Sequence, residues 1–527
     1  MGPLSGSRRR IPSGTRCWSG DTSRPRAVVA RLASMAEARD MTATLPGRVR
    51  SGFAWSMASN IVLRIGSLAI GIILARLLAP EVFGVYAVAL TAQSILMAIA
   101  DPGLTAVLIR TPDFGRLAPT TATLGLFCGV GLASVMAATS PLIADAMETP
   151  AASPVIGVLS LTLALAGIGV VPLARLQRDF AQKKVFAISA ADFTVSTIAT
   201  ITLVLAGVGP MALAVGRVLG QAVTTALQFV LARQRPVLGW DRAQAAPVLA
   251  FGAPLACANL VSWVVISADN VVIARMAGPT ALGLYVLAFN IASWPMNALG
   301  QAVRAVALPG FAQSEDASRA FQSAVTLTWA AAAGAGALIA ALAGPVIAVL
   351  YGDAWARSGP ILAALAVFGA MRTVFDVVSG YLMARGRSRA VLMVQMTWCV
   401  VLVPALIIGI QLDGATGAGW AHVVVGVVVL GVFGAVLRGA GVRRMVRASV
   451  YPTVVAAGAG AVSIGVVAVL STATAPAPIV RLAAGGVAGG LVLIAGLSPW
   501  ALPRIRASQM HGTTLRATPR PNVAEGE

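Results

Sequence analysis

From about residue 55 to residue 500 the chain is a series of apolar runs, each roughly 20 residues long, separated by short loops. A helix of that length crosses a hydrocarbon core of about 30 Å, which commits the chain to a bilayer. The runs fall near 55–75, 82–100, 119–139, 154–174, 185–206, 210–232, 249–270, 281–303, 325–350, 358–384, 391–411, 415–437, 452–471 and 479–500. They predict an all-α integral membrane protein of about fourteen transmembrane helices. Only 11% of the residues are charged, too few to cover a soluble surface, which normally carries about 25%.

Orientation follows from the basic residues, because short loops rich in Lys and Arg stay on the cytoplasmic side. One set of alternate loops holds Arg175, Arg178, Lys183 and Lys184, then Arg233, Arg235 and Arg242, then Arg385, Arg387 and Arg389, then Arg438, Arg443, Arg444 and Arg447. The opposite set holds only Arg76, Arg275, Arg357 and Arg481. The first set therefore faces the cytoplasm, with both termini beside it. This topology accounts for most of the net charge of +20, so nucleic acid is not an expected partner. Residues 1–50, Ser/Pro/Gly-rich with many Arg, read as a disordered cytoplasmic tail. Met35 and Met41 are alternative starts. Residues 504–527 read as a second disordered tail.

Residues 74–89, LARLLAPEVFGVYAVA, recur 199 positions later as residues 273–288, IARMAGPTALGLYVLA. Six of the sixteen positions are identical, among them Arg76 with Arg275, Pro80 with Pro279, Gly84 with Gly283 and Tyr86 with Tyr285. At the same offset Asn60 aligns with Asn259. Six spans between the copies put them in the same orientation, so the halves form two six-helix lobes related by an axis along the membrane normal. The organisation is then residues 51–235 for spans 1–6, 236–440 for spans 7–12, and 441–503 for two extra spans. In the repeated segment the Arg is placed to snorkel to the interface, the Pro to end one helix or start the next, and the Gly to allow close packing. Its role is mainly architectural, although an outer gate would be built from these turns.

Little in the chain supports bond chemistry. His422 and His511 are the two histidines, and four cysteines are scattered singly without metal-ligand spacing. There is no phosphate-binding GxxxxGK[ST] loop. No cofactor and no metal are expected.

Ionisable groups at membrane depth cost roughly 2.5–3.5 kcal/mol each and usually face a cavity or a partner. Arg64 stands near the middle of span 1, four residues after Asn60 and on the same face. It is a candidate for anion binding, or a bridge to an acid such as Asp192 in span 5. Arg217 in span 6 has no acid within a turn on its own helix, which favours an anionic ligand, though another helix could supply a partner. Arg372 and Asp376 in span 10 are spaced to neutralise each other. Asp269, near the outer end of span 7, is either hydrated there or, like Asp192, a candidate for ion coupling. Asn60 and Asn259 bond between helices or touch substrate. Gln93, Gln221 and Gln395 suit interhelical bonding.

The stretch Trp55–Arg110, with A-R-L-L-x-P-x-x-F-G-x-Y-A at Ala75–Ala87, D-x-G-L at Asp101–Leu104 and a closing Arg110, resembles the opening of the Wzx-type polysaccharide transport family of the multidrug/oligosaccharidyl-lipid/polysaccharide exporter superfamily. The resemblance implies transfer of an undecaprenyl-pyrophosphate-linked oligosaccharide to the outer leaflet by alternating access between two lobes. A lipid-linked anionic glycan is then the substrate, with membrane lipids, a polysaccharide polymerase and glycosyltransferases as candidate partners. Such a family carries a cationic cavity, which Arg64 and Arg217 fit in type and depth, and guanidinium groups bind phosphate oxygens in bidentate fashion. Two transport readings stand beside it, a lipid-linked peptidoglycan precursor flippase and a drug/cation antiporter. A membrane polymerase or ligase would call for a large outer loop, and a scaffold would not need buried arginines.

Overall fold

The structure is a computed structural model that describes residues 62–100, 103–313, 317–437, 441–473 and 477–517. Asn60, the tail 1–50 and residues 518–527 lie outside it. Among the described residues every regular element is a helix. The first half contains α1 (62–77), α2 (Pro80–Ala100), α3 (Leu104–Arg110), α4 (Phe114–Ala138), α5 (Ser140–Ala146), α6 (Ser153–Leu159), α7 (Leu161–Arg178), α8 (Gln182–Leu205) and α9 (Pro210–Ala232). The second half contains α10 (Arg242–Ile266), α11 (Ala268–Gln313), α12 (Ala317–Ala341), α13 (Ala343–Leu350), α14 (Ser358–Ala384) and α15 (Ser388–Val436). Two further helices, α16 (Val442–Ala473) and α17 (Pro478–Ala517), close the chain.

Twelve helices among the described residues are long and apolar enough to cross a membrane, so fourteen spans are not counted element by element. Part of the expected span 1 precedes the described residues, and the 48 residues from Arg389 to Val436 run as one helical stretch. Within that stretch Asp413 and Gly414 leave helical geometry, Gly414 with φ +51°. A methyl group on Gly409 would overlap the carbonyl oxygen of Gly417. Residues eight apart in a straight helix are about 12 Å apart, so the backbone must fold back here. In α11 the break lies at Gly278, φ +81°. Asp269 before it bonds to Tyr285 after it, which requires a second reversal.

The end of the bundle opposite the Arg-rich loops is called the outer end below. There the two copies of the repeat cross each other. A Cβ on Gly84 of α2 would strike the backbone of Pro279, and one on Gly283 of α11 would strike the carbonyl of Pro80. The expectation that these glycines allow close packing thus acquires a partner, since each copy's glycine receives the other copy's proline.

The repeated arginines, both exposed, bond across the halves. Arg76 donates from Nε to the carbonyl of Leu350 at 2.9 Å and from its terminal nitrogen to Val349, both at the C-terminus of α13 in the other half. Arg275 donates to the carbonyl of Ala146 at 2.6 Å, at the C-terminus of α5 in the first half. The last carbonyls of a helix lack intrahelical donors and carry the negative end of its dipole, so a cation within reach is better placed there than in the headgroups. Trp355, fully buried, donates its indole N–H to the carbonyl of Ala75 at 2.7 Å and meets the edge of Phe83 at 5.3 Å. The outer junction is therefore bonded from both sides.

Toward the basic end, Ala245 and Val248 of α10 are buried with Leu104, Leu108 and Phe114 of the first half. Arg110 lies over the ring of Phe251 at 5.5 Å. The final pair packs on α12, where Trp329 donates to Thr453 at 2.8 Å and Gly489 lies against Ser463 and Leu338. The helix α17 continues through Pro499 and Pro503 to Ala517, so the tail expected from residue 504 is helical over its described part. A proline removes one backbone donor and bends a long helix without obligatorily ending it.

Gly84→Ala and Gly283→Ala place a methyl against backbone that has no rotamer to change. Each is expected to lower stability by about 1–3 kcal/mol, the usual cost of overpacking, whereas Gly431→Ala, with open space at its Cβ, should be nearly silent. Thermal unfolding of the purified variants in detergent checks this.

Candidate functional site

Below the crossing, α2 presents one face with Tyr86, Leu90, Gln93, Ser94, Met97 and Ala98 toward a cavity of about 520 Å³. These positions recur every three or four residues, one stripe of a helix. Arg217 of α9 and Trp263 of α10 complete the lining, so the cavity lies between the halves. Its volume falls in the range of small-molecule sites, roughly 300–1,000 Å³. Gln93 is buried and donates to Thr162 of α7 at 2.6 Å, in line with its expected interhelical role.

Arg217 is the cation of this cavity, with its side chain 42% exposed. It has a partner on another helix, Asp192 of α8, at 3.8 Å. At that separation the ion pair is loose, and the Oδ1 atom of Asp192 has no hydrogen-bond partner. The approach of α8 to α9 is made by glycines one turn apart: Gly216 lies against Thr200 and Ser196, and Gly220 against Asp192 and Ser196. A side chain at Gly220 would occupy the space of the Asp192 carboxylate. Arg217 therefore keeps several donors available to the cavity while a carboxylate holds it in position, an arrangement suited to an exchangeable anion.

The other predicted residues are not gathered at this site. Arg64 on α1 is exposed, and among the described residues no acid pairs with it, so Asp192 serves Arg217 instead. The packing of α1 on α8 passes through Gly66 and Phe193. Ser67, expected to extend a polar stripe, donates to the carbonyl of Arg64 at 2.9 Å. Asn259 is half-buried on α10. Arg372 lies over the Trp398 ring at 4.7 Å, inside the second half. Neither Arg64, Asn259 nor Arg372 lines the cavity.

Asp269 is 7% exposed, which removes the reading of a hydrated carboxylate at the boundary. The turn at Gly278 folds α11 back over it, and it accepts from Tyr285 at 2.7 Å and from the backbone N–H of Asn270 at 2.8 Å. Sequence reasoning did not place Tyr86, Ser94, Met97, Trp263 or His422 near any site. Tyr86 and Tyr285 carried a signal, as rare residues shared by both repeats, and His422 another, as a polar ring in an otherwise apolar run. Among the described residues, no three of His, Cys, Asp and Glu group to hold a metal ion.

Comparison with known proteins bears on this cavity. The family described as "Polysaccharide biosynthesis protein" matches residues 73–360. The lipopolysaccharide biosynthesis protein WzxC of Escherichia coli K12 is 26% identical over 377 residues, 70% of this chain and 76% of that protein. The succinoglycan biosynthesis transport protein ExoT of Rhizobium meliloti is 27% identical over 325 residues, 60% of this chain and 65% of that protein. The fold resembles that of a lipid II flippase MurJ in an inward closed conformation, with TM-score 0.68 and 12% identity over 85% of this chain and all of that one. A multidrug resistance transporter of the MOP superfamily in an inward-facing conformation gives TM-score 0.53 at 17% identity, over 72% of this chain and 95% of that one.

Arg217→Ala leaves the Asp192 carboxylate partly buried and unpaired. It is expected to cost about 1–3 kcal/mol, below the figure for a fully buried pair because both groups reach water. Adding Asp192→Asn removes the orphaned charge and should restore most of the loss. Thermal unfolding of the two single variants and the double variant measures this.

Proposed function

Since the chain belongs to the polysaccharide biosynthesis protein family, we propose that it is a flippase that carries an undecaprenyl-pyrophosphate-linked oligosaccharide across the plasma membrane for cell-surface polysaccharide assembly. The observation that carries this reading is Arg217, a partly exposed guanidinium in an inter-half cavity whose outer end is closed by the crossed repeats. Guanidinium groups bind phosphate oxygens in bidentate fashion, so a pyrophosphate entering from the basic end would meet Arg217 and compete with Asp192 for it. Arg64, Asn60, Asn259 and Arg372 are further substrate contacts in this proposal, reached as the halves rock. Asp192 and Asp269 are its candidates for coupling to an ion. The reaction is movement, with no bond made or broken.

In this reading the chain has fourteen spans, with both termini in the cytoplasm. A polymerase and glycosyltransferases act on either side of the transport step. The likeness to the lipid II flippase keeps a lipid-linked peptidoglycan precursor as a second substrate class. The relatives named for lipopolysaccharide and succinoglycan favour the first.

Flipping of a fluorescent undecaprenyl-pyrophosphate oligosaccharide in proteoliposomes tests the proposal. Wild type is expected to transfer it. Arg64→Ala and Arg217→Ala should each slow transfer by about tenfold or more, equivalent to about 1.4 kcal/mol, and Arg217→Ala with Asp192→Asn should stay slow although its stability returns. Export of cationic drugs without transfer of any lipid-linked glycan would overturn the reading.

A further inference from the structure

The cavity offers more than a cation. Trp263 of α10 is 42% exposed, Tyr86 and Ser94 of α2 are half-buried, and all three line the cavity. Among the described residues neither the Trp263 indole N–H nor the hydroxyls of Tyr86 and Ser94 make a hydrogen bond, and neither ring meets another ring. Four other tryptophans are engaged: Trp329 donates to Thr453 and Trp355 to Ala75, while Trp398 lies under Arg372 and Trp500 under Arg504. The repeat shows the same contrast. Tyr285, the counterpart of Tyr86, donates to Asp269 at 2.7 Å and lies 3.4 Å from His422 Nε2, and this cluster is buried. Buried tyrosines and tryptophans usually find a partner for their polar ends, so those left unbonded against a cavity are positioned for a ligand to complete.

Position narrows the ligand. Trp263 stands three residues before the end of α10 at Ile266, Tyr86 six residues into α2 and Arg217 seven into α9. At about 1.5 Å per residue, each lies within about 10 Å of the outer end of its helix. Two rings with polar ends therefore share one level of the cavity with the guanidinium. An aromatic face beside hydroxyl groups suits a pyranose, which presents C–H groups on the faces of its ring and hydroxyls around its edge. The side-chain hydroxyls both donate and accept, as sugar hydroxyls do. A prenyl chain would use none of these polar groups. A cationic drug would need a carboxylate to itself, whereas Asp192 already faces Arg217 at 3.8 Å.

We propose that Trp263 and Tyr86 form a sugar subsite that selects a neutral pyranose as the first ring of the glycan, the one joined to the pyrophosphate. The indole of Trp263 stacks on a C–H face of that ring, and its N–H and the Tyr86 hydroxyl bond to ring hydroxyls while Arg217 holds the phosphate. Neutrality follows from the charges. Among the residues that line the cavity Arg217 is the single ionised group, and the pyrophosphate takes it. A carboxylate on the adjoining sugar would find no second cation there and would face Asp192 across the site. The subsite rests on the reading of Arg217 as the phosphate ligand and adds to it the residues that tell one glycan from another.

Binding to the full-length protein in lipid nanodiscs, free of sugar-based detergent, tests this. The probes are undecaprenyl pyrophosphate alone and the same lipid carrying one glucose, galactose, N-acetylglucosamine or glucuronic acid. At least one neutral sugar is expected to tighten binding about fivefold, the order of an aromatic stacking contact, and glucuronic acid to add nothing. Trp263→Leu should abolish the gain and still bind the sugar-free lipid as wild type does, while Trp263→Phe should keep most of it. Tryptophan emission should shift on adding the sugar-bearing lipid to wild type and not to Trp263→Phe, a readout that stands even where Trp263→Leu fails to fold. No gain from any neutral sugar, or a gain equal in wild type and Trp263→Leu, would overturn the subsite, and tight binding of the glucuronic acid lipid would overturn its neutrality. Transfer in proteoliposomes without a sugar-dependent gain would leave the flippase reading and remove the subsite. A gain that depends on Trp263 without transfer would do the reverse.

Discussion

The crossing of α2 and α11 at their outer ends fixes the distance between the halves, and most of the other features follow from it. The contact is backbone on backbone, Gly84 to Pro279 and Gly283 to Pro80, so no side chain can adjust to another spacing. With the outer ends this close, the helices diverge only toward the other end, and the cavity that starts at Tyr86 is the space they leave. The arginines and Trp355 then add bonds from each half to the other's backbone. Lipid supplies no hydrophobic drive between helices, which makes close backbone packing and bonds to helix ends the available means of joining two apolar bundles.

The cavity and the buried cluster treat charge differently. Arg217 and Asp192 both reach water and sit at a separation that an incoming anion can disrupt. Asp269, Tyr285 and His422 are buried and contact one another and the backbone. The repeated tyrosine appears in both places, Tyr86 against the cavity and Tyr285 within the cluster. A duplicated position has thus been put to two uses in the two halves, and the polar groups around it differ accordingly, since neither Asp269 nor His422 has a polar counterpart 199 positions earlier, where Ile70 and Val223 stand.

Much of the helical architecture was legible because it depends on local quantities: run length marks the helices, and the repeat marks the two segments that cross at the outer end. Pairing across helices was not. Arg217 showed no acid on its own helix, and its partner Asp192 is distant in sequence. The acceptors of Arg76 and Arg275 were not foreseen, because they are backbone carbonyls, which leave no mark on residue identity. Asp269 read as peripheral because its burial depends on the reversal at Gly278, and His422 carried no partner within its own segment. The segment from residue 504, read as a tail, is helical as far as Ala517 although Pro499 and Pro503 stand inside that helix.

The reciprocal capping also imposes an order on synthesis. The Ala146 carbonyl waits for a donor that lies 129 residues later, and Arg76 for acceptors more than 270 residues later. Gly84 faces no proline until residue 279 has entered the membrane. The N-terminal half therefore emerges from the ribosome with an unfinished outer surface, and only the arrival of its own duplicate completes it, so that each half acts as the other's last folding step.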